Sequence, residues 1–291
     1  MKIHLVDGTY ELFRCYFATP SFRTQNGREV GAVRGLIQTL LSLLREPDVT
    51  HVACAFDHVI ESFRNKLFYG YKTGEGIPKD LLDQFELAEL STSALGITVW
   101  PMTEYEADDA LATAAERWST DHRVSQIVIC SPDKDLTQMV KGERVTTLDR
   151  RRGVLLSENG VTKKFGVSPA SIPDYLALVG DKADGIPGIS GWGTKSTAQV
   201  LNRYVHLENI PDNYLEWDVS PRGSNKISIA LKEGREDALL YRTLATLRID
   251  VPLSETLDDL LWKGVNQKYY IQLCDELDSE RLKNIPHVWK D

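Results

Sequence analysis

Gln126-Ile127-Val128-Ile129-Cys130 is a short apolar, β-branched run that stops at Ser131-Pro132-Asp133-Lys134-Asp135. A run of this kind, bounded by a turn signal, predicts a buried strand. Two other runs have the same design. Ile3-His4-Leu5-Val6 stops at Asp7-Gly8, and Val52-Ala53-Cys54-Ala55-Phe56 stops at Asp57. Ile97 to Trp100 and Val145 to Leu148 predict further strands. Between them, Val33, Leu36, Ile37, Leu40, Leu41 and Leu44 form a stripe of helical period. Leu81 to Leu95 and Ala107 to Trp118 also read as helices. Strands alternating with helices predict an α/β domain: a parallel sheet with helices on both faces.

From about Ser168 the pattern changes. Ile172 to Val179, Thr194 to Tyr204, Lys226 to Leu231 and Asp237 to Leu247 read as helices, with few strand signals. Gly185-Ile-Pro-Gly-Ile-Ser-Gly-Trp-Gly193 is a turn-dense connector between two of them. The reading is an α/β domain followed by a helical one, with the boundary near 155–168.

The chain has 291 residues, 42% hydrophobic and 26% charged, which is ordinary globular composition and excludes disorder as the main state. No stretch of 18 apolar residues exists, so no membrane span is expected. Asp7 arrives before any apolar signal region forms, so no secretory peptide is expected either. Cys15, Cys54, Cys130 and Cys274 make no CxxC pair and read as reduced, buried thiols of a cytoplasmic protein. The net charge of −8 argues by itself against a nucleic-acid partner. Nine of the 42 acids are clustered, however, and without them the balance is 34 basic to 33 acidic.

Those nine are Asp7, Asp57, Glu106, Asp108, Asp109, Asp133, Asp135, Asp181 and Asp184. Ligands of an open parallel sheet bind beyond the carboxyl ends of its strands, where Asp7, Asp57 and Asp133 are expected to converge. Glu106-Ala107-Asp108-Asp109 opens a helix, where acids also favour the dipole. Carboxylates crowded together stay ionised only if cations neutralise them. Oxygen ligands without His or Cys select Mg²⁺ or Mn²⁺. Two such ions can activate water and stabilise a leaving oxygen in phosphodiester hydrolysis.

Val6-Asp7-Gly8 with Arg14, Ala55-Phe56-Asp57, Tyr105-Glu106-Ala107-Asp108-Asp109-Ala110-Leu111, Ser131-Pro132-Asp133-Lys134-Asp135-Leu136 and Gly180-Asp181-Lys182-Ala183-Asp184-Gly185-Ile186-Pro187-Gly188 resemble the acidic blocks of the 5′-nuclease family in order and spacing. That family includes flap endonucleases and the 5′–3′ exonuclease domain of bacterial DNA polymerase I. The resemblance covers about residues 3–253, with Leu240 to Pro252 as a late matching stretch. It implies a PIN-like α/β nuclease domain over 1–165, with a helical arch around 70–100. A helical domain over 166–291 would carry a helix–three-turn–helix hairpin. It also implies a Mg²⁺- or Mn²⁺-dependent nuclease, both 5′–3′ exonuclease and 5′-flap endonuclease, acting on DNA in replication or repair as a monomer.

The resemblance assigns Asp7, Asp57, Glu106 and Asp108 to a first metal. It assigns Asp108, Asp133, Asp135, Asp181 and Asp184 to a second metal or its water shell, with Asp109 between. Phe13 matches a position that stacks on the base beside the scissile phosphate. Arg14 and Arg64 match phosphate-directed cations. Tyr71-Lys72 matches the catalytic lysine at the base of the arch, able to place a point charge on the phosphate. Three residues later the family usually has an arginine, where this chain has Glu75.

Gly188 to Ser196 approaches a P-loop, but Thr194 separates Gly193 from Lys195 and no strand precedes it. The hairpin is the better match, with Ser190, Gly191, Trp192 and Gly193 expected to hold K⁺ against duplex phosphate and Lys195 and Ser196 to follow at the helix start. Two rival readings stand beside this one. Asp133-Lys134-Asp135-Leu136-Thr137 fits the DxDxT of a haloacid-dehalogenase-like phosphatase. A catalytically weak DNA-junction binder on the same fold would account for Glu75.

Overall fold

The computed structural model describes residues 1–290. In chain order the strands and α-helices are β1 (Lys2–Asp7), α1 (Gly8–Ala18), α2 (Gly31–Leu44), β2 (His51–Asp57), α3 (Phe63–Leu67), α4 (Lys79–Leu82), α5 (Phe85–Ala94), β3 (Thr98–Met102), α6 (Ala107–Trp118), β4 (Gln126–Cys130), β5 (Val145–Asp149), β6 (Val154–Leu156), α7 (Glu158–Phe165), α8 (Ile172–Val179), α9 (Thr194–Tyr204), α10 (Ser224–Glu233), α11 (Arg235–Ala245), β7 (Val265–Asn266), α12 (Gln267–Glu276), α13 (Glu280–Lys283) and β8 (Trp289–Lys290).

The chain forms two compact units, each drawn from separate stretches. The first takes residues 1–60, 74–131 and 249 onward, and the second takes 61–73 and 132–248. A single cut near residue 165 does not coincide with this division.

In the first unit, four parallel strands lie in the order β3-β2-β1-β4. The register runs from Ile3 opposite His51 to Asp7 opposite Ala55, and from Lys2 opposite Gln126 to Val6 opposite Cys130. β1, β2 and β4 are buried almost throughout, as a parallel sheet requires, which is why they read as continuous apolar runs. α6 packs on β1, β2 and β3, while α1, α2 and α5 pack on one another. The apolar stripe of α2 is fully buried. All four cysteines are free and buried. No helix among the described residues is long and apolar enough to cross a membrane.

The second unit is mainly helical around a core that includes Tyr71, Leu176, Leu178, Trp192, Val200, Leu231, Tyr241 and Leu244. It also carries the antiparallel pair β5–β6. Helix α9 starts after Gly193 and ends at Val205, whose φ is +67° and ψ −54°. The His206 N–H donates to the Tyr204 carbonyl at 2.8 Å, so Val205 is the centre of a strained γ-turn.

Candidate metal centre and phosphate-binding residues

In the first unit the sheet sets the carboxylates. Asp7 closes β1 and caps α1: the Tyr10 N–H donates to Asp7 Oδ1 at 2.8 Å. The Ser131 hydroxyl, one residue past β4, donates to Asp7 Oδ2 at 2.8 Å. Both oxygens therefore have fixed directions. Asp57 closes β2. Its N–H donates to Thr9 Oγ1 at 2.8 Å, and its Oδ1 accepts from the Ala107 N–H at 2.8 Å. The end of β2 is thereby tied to the start of α6. Glu106 precedes α6, and its N–H donates to Asp109 Oδ2 at 3.0 Å. Asp109 is 0% exposed, so it acts as the helix cap that orients Glu106. Asp108, in the same first turn, is half-buried.

In the second unit, oxygens of Asp133 and Asp135 lie within 4.8 Å of one another. Asp133 is exposed and Asp135 buried. Lys72 Nζ pairs with Asp184 Oδ1 at 3.0 Å, and Lys134 Nζ pairs with the buried Asp181 at 2.6 Å. The Asp181–Ile186 turn is closed by reciprocal backbone hydrogen bonds of 2.8 and 2.7 Å. Gly185, at φ +74°, sits against Gly70, and a Cβ at Gly185 would fall 2.1 Å from the Gly70 carbonyl oxygen. That closeness brings the Lys72 backbone to Asp184, where the Lys72 N–H donates to the Asp184 carbonyl at 3.0 Å.

The electrostatics of this set test its fit to a cation. Burial, then the charges of Asp133 and Asp184, push the Asp135 carboxyl well above the usual carboxylate range, against Lys72. Burial is also the main cause raising Asp184, with Asp133 and Asp181 adding to it and Lys72 opposing. The buried Asp135 Oδ1 has no hydrogen-bond partner. Desolvated carboxylates that repel one another, one with an unsatisfied oxygen, fit a hard divalent cation.

Other expected residues take different places. Arg14 Nε and Nη2 donate to Glu11 Oε2 at 2.8 and 2.5 Å, and Nη2 also donates to Thr39 Oγ1 at 2.9 Å. Glu11 is buried, so the charge of Arg14 balances an interior carboxylate. Arg64 was expected to face phosphate but is only 1% exposed. It donates to the carbonyls of Leu244 at 2.8 Å and Thr246 at 3.1 Å, and lies over the Phe63 ring. It is a clamp within the second unit and cannot reach DNA. The Trp192 side chain faces inward: it is 4% exposed, donates from Nε1 to the Ile227 carbonyl at 2.9 Å, and packs on Trp217, so only the Trp192 backbone is left to the hairpin. Phe13 is half-buried, edge-on to Phe85 with centroids 6.0 Å apart. Tyr71 is buried beneath Lys72.

The hairpin keeps its surface. Ser190, Gly191, Gly193 and Lys195 are exposed, and Ser196 is half-buried. Gly191 has φ +82°, and a Cβ on Gly193 would meet nothing within 4 Å. The start of α9 is therefore open to an approaching anion.

Sequence reasoning missed Ser131, Thr9 and Lys134. Ser131 follows a strand end level with Asp7, and Lys134 lies between two of the acids, but only three-dimensional contacts show what each hydroxyl or ammonium holds.

The family model described as 5′-3′ exonuclease, N-terminal resolvase-like domain, matches residues 2–166. The model described as 5′-3′ exonuclease, C-terminal SAM fold, matches residues 167–268. The chain is similar to DNA polymerase I of Pseudomonas aeruginosa, 35% identical over 283 residues, covering 94% of this chain and 30% of the relative. It is similar to the 5′-3′ exonuclease of Aquifex aeolicus, 32% identical over 290 residues, covering 99% of this chain and 96% of the relative. The chain thus spans about 30% of the length of the DNA polymerase I relatives. In fold it is similar to T5 5′-exonuclease with bound zinc, with TM-score 0.63 at 16% identity, covering 94% of this chain and 99% of that one. It is likewise similar to flap endonuclease-1 from Methanococcus jannaschii, with TM-score 0.56 at 16% identity, covering 98% and 90%.

Proposed function

Because the chain belongs to the 5′–3′ exonuclease family, we propose that it hydrolyses DNA phosphodiesters at 5′ ends and 5′ flaps by two-metal-ion catalysis. The observation that carries this reading is the crowding of Asp133, Asp135 and Asp184, with the buried, unpartnered Asp135 oxygen.

Asp7, Asp57, Glu106 and Asp108 would hold one ion. Asp108, Asp133, Asp135, Asp181 and Asp184 would hold the other or its waters, with Asp109 orienting Glu106. The all-oxygen donor set favours Mg²⁺ or Mn²⁺. Such ions supply an activated water and charge stabilisation for the leaving oxygen. The chain's own residues then bind and orient. Lys72, fixed by Asp184, presents a positive charge to the scissile phosphate. Phe13 offers a ring face to the adjacent base. The hairpin from Ser190 to Gly193, exposed but for the Trp192 side chain, binds duplex phosphate with Lys195 and Ser196 without reading sequence, with K⁺ as its ion. Arg14, partly exposed beside Glu11, is kept as a catalytic, phosphate-directed cation, whereas the interior Arg64 is outside this machinery. We assign 1–165 as the α/β nuclease domain and 166–291 as the helical DNA-binding domain, which adds Asp181 and Asp184 to the metal ligands, in a monomer of the cytoplasm.

The phosphatase reading of Asp133 to Thr137 falls with the family assignment. Product mapping from a labelled 5′-flap duplex, with Mg²⁺ and with chelator, tests the proposal. Metal-dependent release of 5′ nucleotides and flaps is expected. Binding without cleavage in Mg²⁺ would instead identify a junction binder, as Glu75 in place of a phosphate-binding cation would favour.

A further inference from the structure

Residues 61–72 of the second unit are anchored at nearly every position, and one aromatic ring is left wholly outside. Ser62 and Asn65 form a capping box at the start of α3. Arg64 clamps α3 onto the carbonyls of Leu244 and Thr246. Asn65 Nδ2 donates to the Lys72 carbonyl at 2.8 Å, closing the segment on itself. Phe68 packs on the core, edge-on to Tyr241 at 5.8 Å, and Tyr71 is buried in it. Gly70 is pressed against Gly185, and Lys72 is bound to Asp184. Between these fixed points Tyr69 is 100% exposed. On the same segment Lys66 is exposed and Leu67 is 48% exposed.

A tyrosine gains by burying its ring, so one presented in full to water by a segment bonded on both sides of it offers a fixed face to a flat partner. The backbone is already ordered, so stacking on that ring costs little further conformational entropy. The neighbours define the partner's chemistry. Lys66 and Lys72 stand three residues before and after Tyr69 in the chain, and that local positive charge suits a polyanion carrying planar aromatic groups. Single-stranded nucleic acid is that ligand: its bases stack on exposed rings whatever their identity while lysines track the backbone.

We propose that Tyr69 is a stacking platform for an unpaired base of the substrate, beside Lys72. The inference rests on the nuclease reading and adds a contact to it. Equilibrium binding of a 5′-flap duplex and of the same duplex lacking the flap, both in Ca²⁺, tests it with the full chain. Tyr69→Ala should weaken flap binding about tenfold, within what one stacked base is worth, and leave the flapless duplex unchanged. Tyr69→Phe should bind as the parent does. In Tyr69→Trp, flap DNA should quench more indole emission than it does in the parent, whose six tryptophans set the background. Unchanged flap affinity in Tyr69→Ala, an equal loss on both DNAs, or a Tyr69→Trp signal quenched no more than the parent's would overturn the proposal while the parent still cleaves. A parent protein that neither binds nor cuts the flap would overturn the nuclease reading itself.

Discussion

Asp184 holds Lys72 at both ends of the lysine: its carbonyl accepts the Lys72 N–H at 3.0 Å, and its carboxylate meets Nζ at 3.0 Å. The ammonium therefore has a defined position before substrate arrives. This is the condition under which a charge lowers a barrier without reorganising during the reaction.

Lys72→Ala should slow single-turnover cleavage by about 10²–10³-fold, the range for removing one preorganised electrostatic group, and change flap affinity much less. Lys72 also opposes the upward shifts of Asp135 and Asp184. Its loss should move the pH dependence of metal binding to higher pH, measurable by titration calorimetry. Equal losses in rate and affinity would remove the catalytic role.

The raised carboxyl of Asp135 has a signed consequence for pH. A carboxyl whose folded pKa lies above its unfolded value contributes stability that is present at acid pH and lost as pH rises through the folded value. The metal-free protein should therefore become less stable as pH rises out of the usual carboxylate range toward neutrality, and Mg²⁺ should reverse the loss. Asp135→Asn should raise the metal-free Tm at pH 8, weaken metal binding and abolish cleavage. A lower Tm in chelator would contradict the strain assigned to Asp135.

Lys195 stands exposed in the first turn of α9 beside the open glycines. Lys195→Ala should weaken duplex binding similarly for all sequences and reduce the slope of log affinity against log salt by about one. Anisotropy titrations at several salt concentrations measure both. Sequence-dependent losses would argue for base contacts.

Arg64 is interior, with backbone carbonyls as partners. Arg64→Met should cost about 2–3 kcal/mol of stability, as charged hydrogen bonds of this kind are worth. It should leave the salt dependence of DNA binding unchanged, which separates a clamp from a phosphate ligand. Urea unfolding and binding titrations decide it.

Val205 pays for its γ-turn with a φ of +67°. Val205→Gly should stabilise by about 1 kcal/mol, the relief of backbone strain less the added freedom of the unfolded glycine. A decrease in Tm would show that the valine side chain contributes more than the strain removes.

Helices α6, α8 and α9 fall on the residues the sequence indicates; α9 buries one stripe, Thr197, Val200 and Leu201, while α6 and α8 are buried on most of their positions. The three Asp-terminated strands read clearly for a related reason, since a strand buried on both faces is an unbroken apolar run. The short, exposed β6 and the polar α7 escaped because neither has such a run, and α7 fills the stretch where a domain boundary was drawn. Side-chain direction was the harder quantity. Arg64 and Trp192 are residue types that bind DNA as readily as they clamp a core, and sequence spacing does not say which way they face. The acids were legible as a group because so many at strand ends and helix starts exceed what caps and turns require. Ser131 and Lys134 were not, because a hydroxyl or an ammonium becomes informative only once its acceptor is known.

The contact between Gly70 and Gly185 limits how this sequence can drift. With no room for even a methyl group there, an alanine at 185 would pry two loops apart and carry the ammonium of Lys72 off its mark, leaving every charged residue unaltered. Inactivity in such a variant would be a defect of spacing, invisible to any survey that inspects only the acids and the lysine.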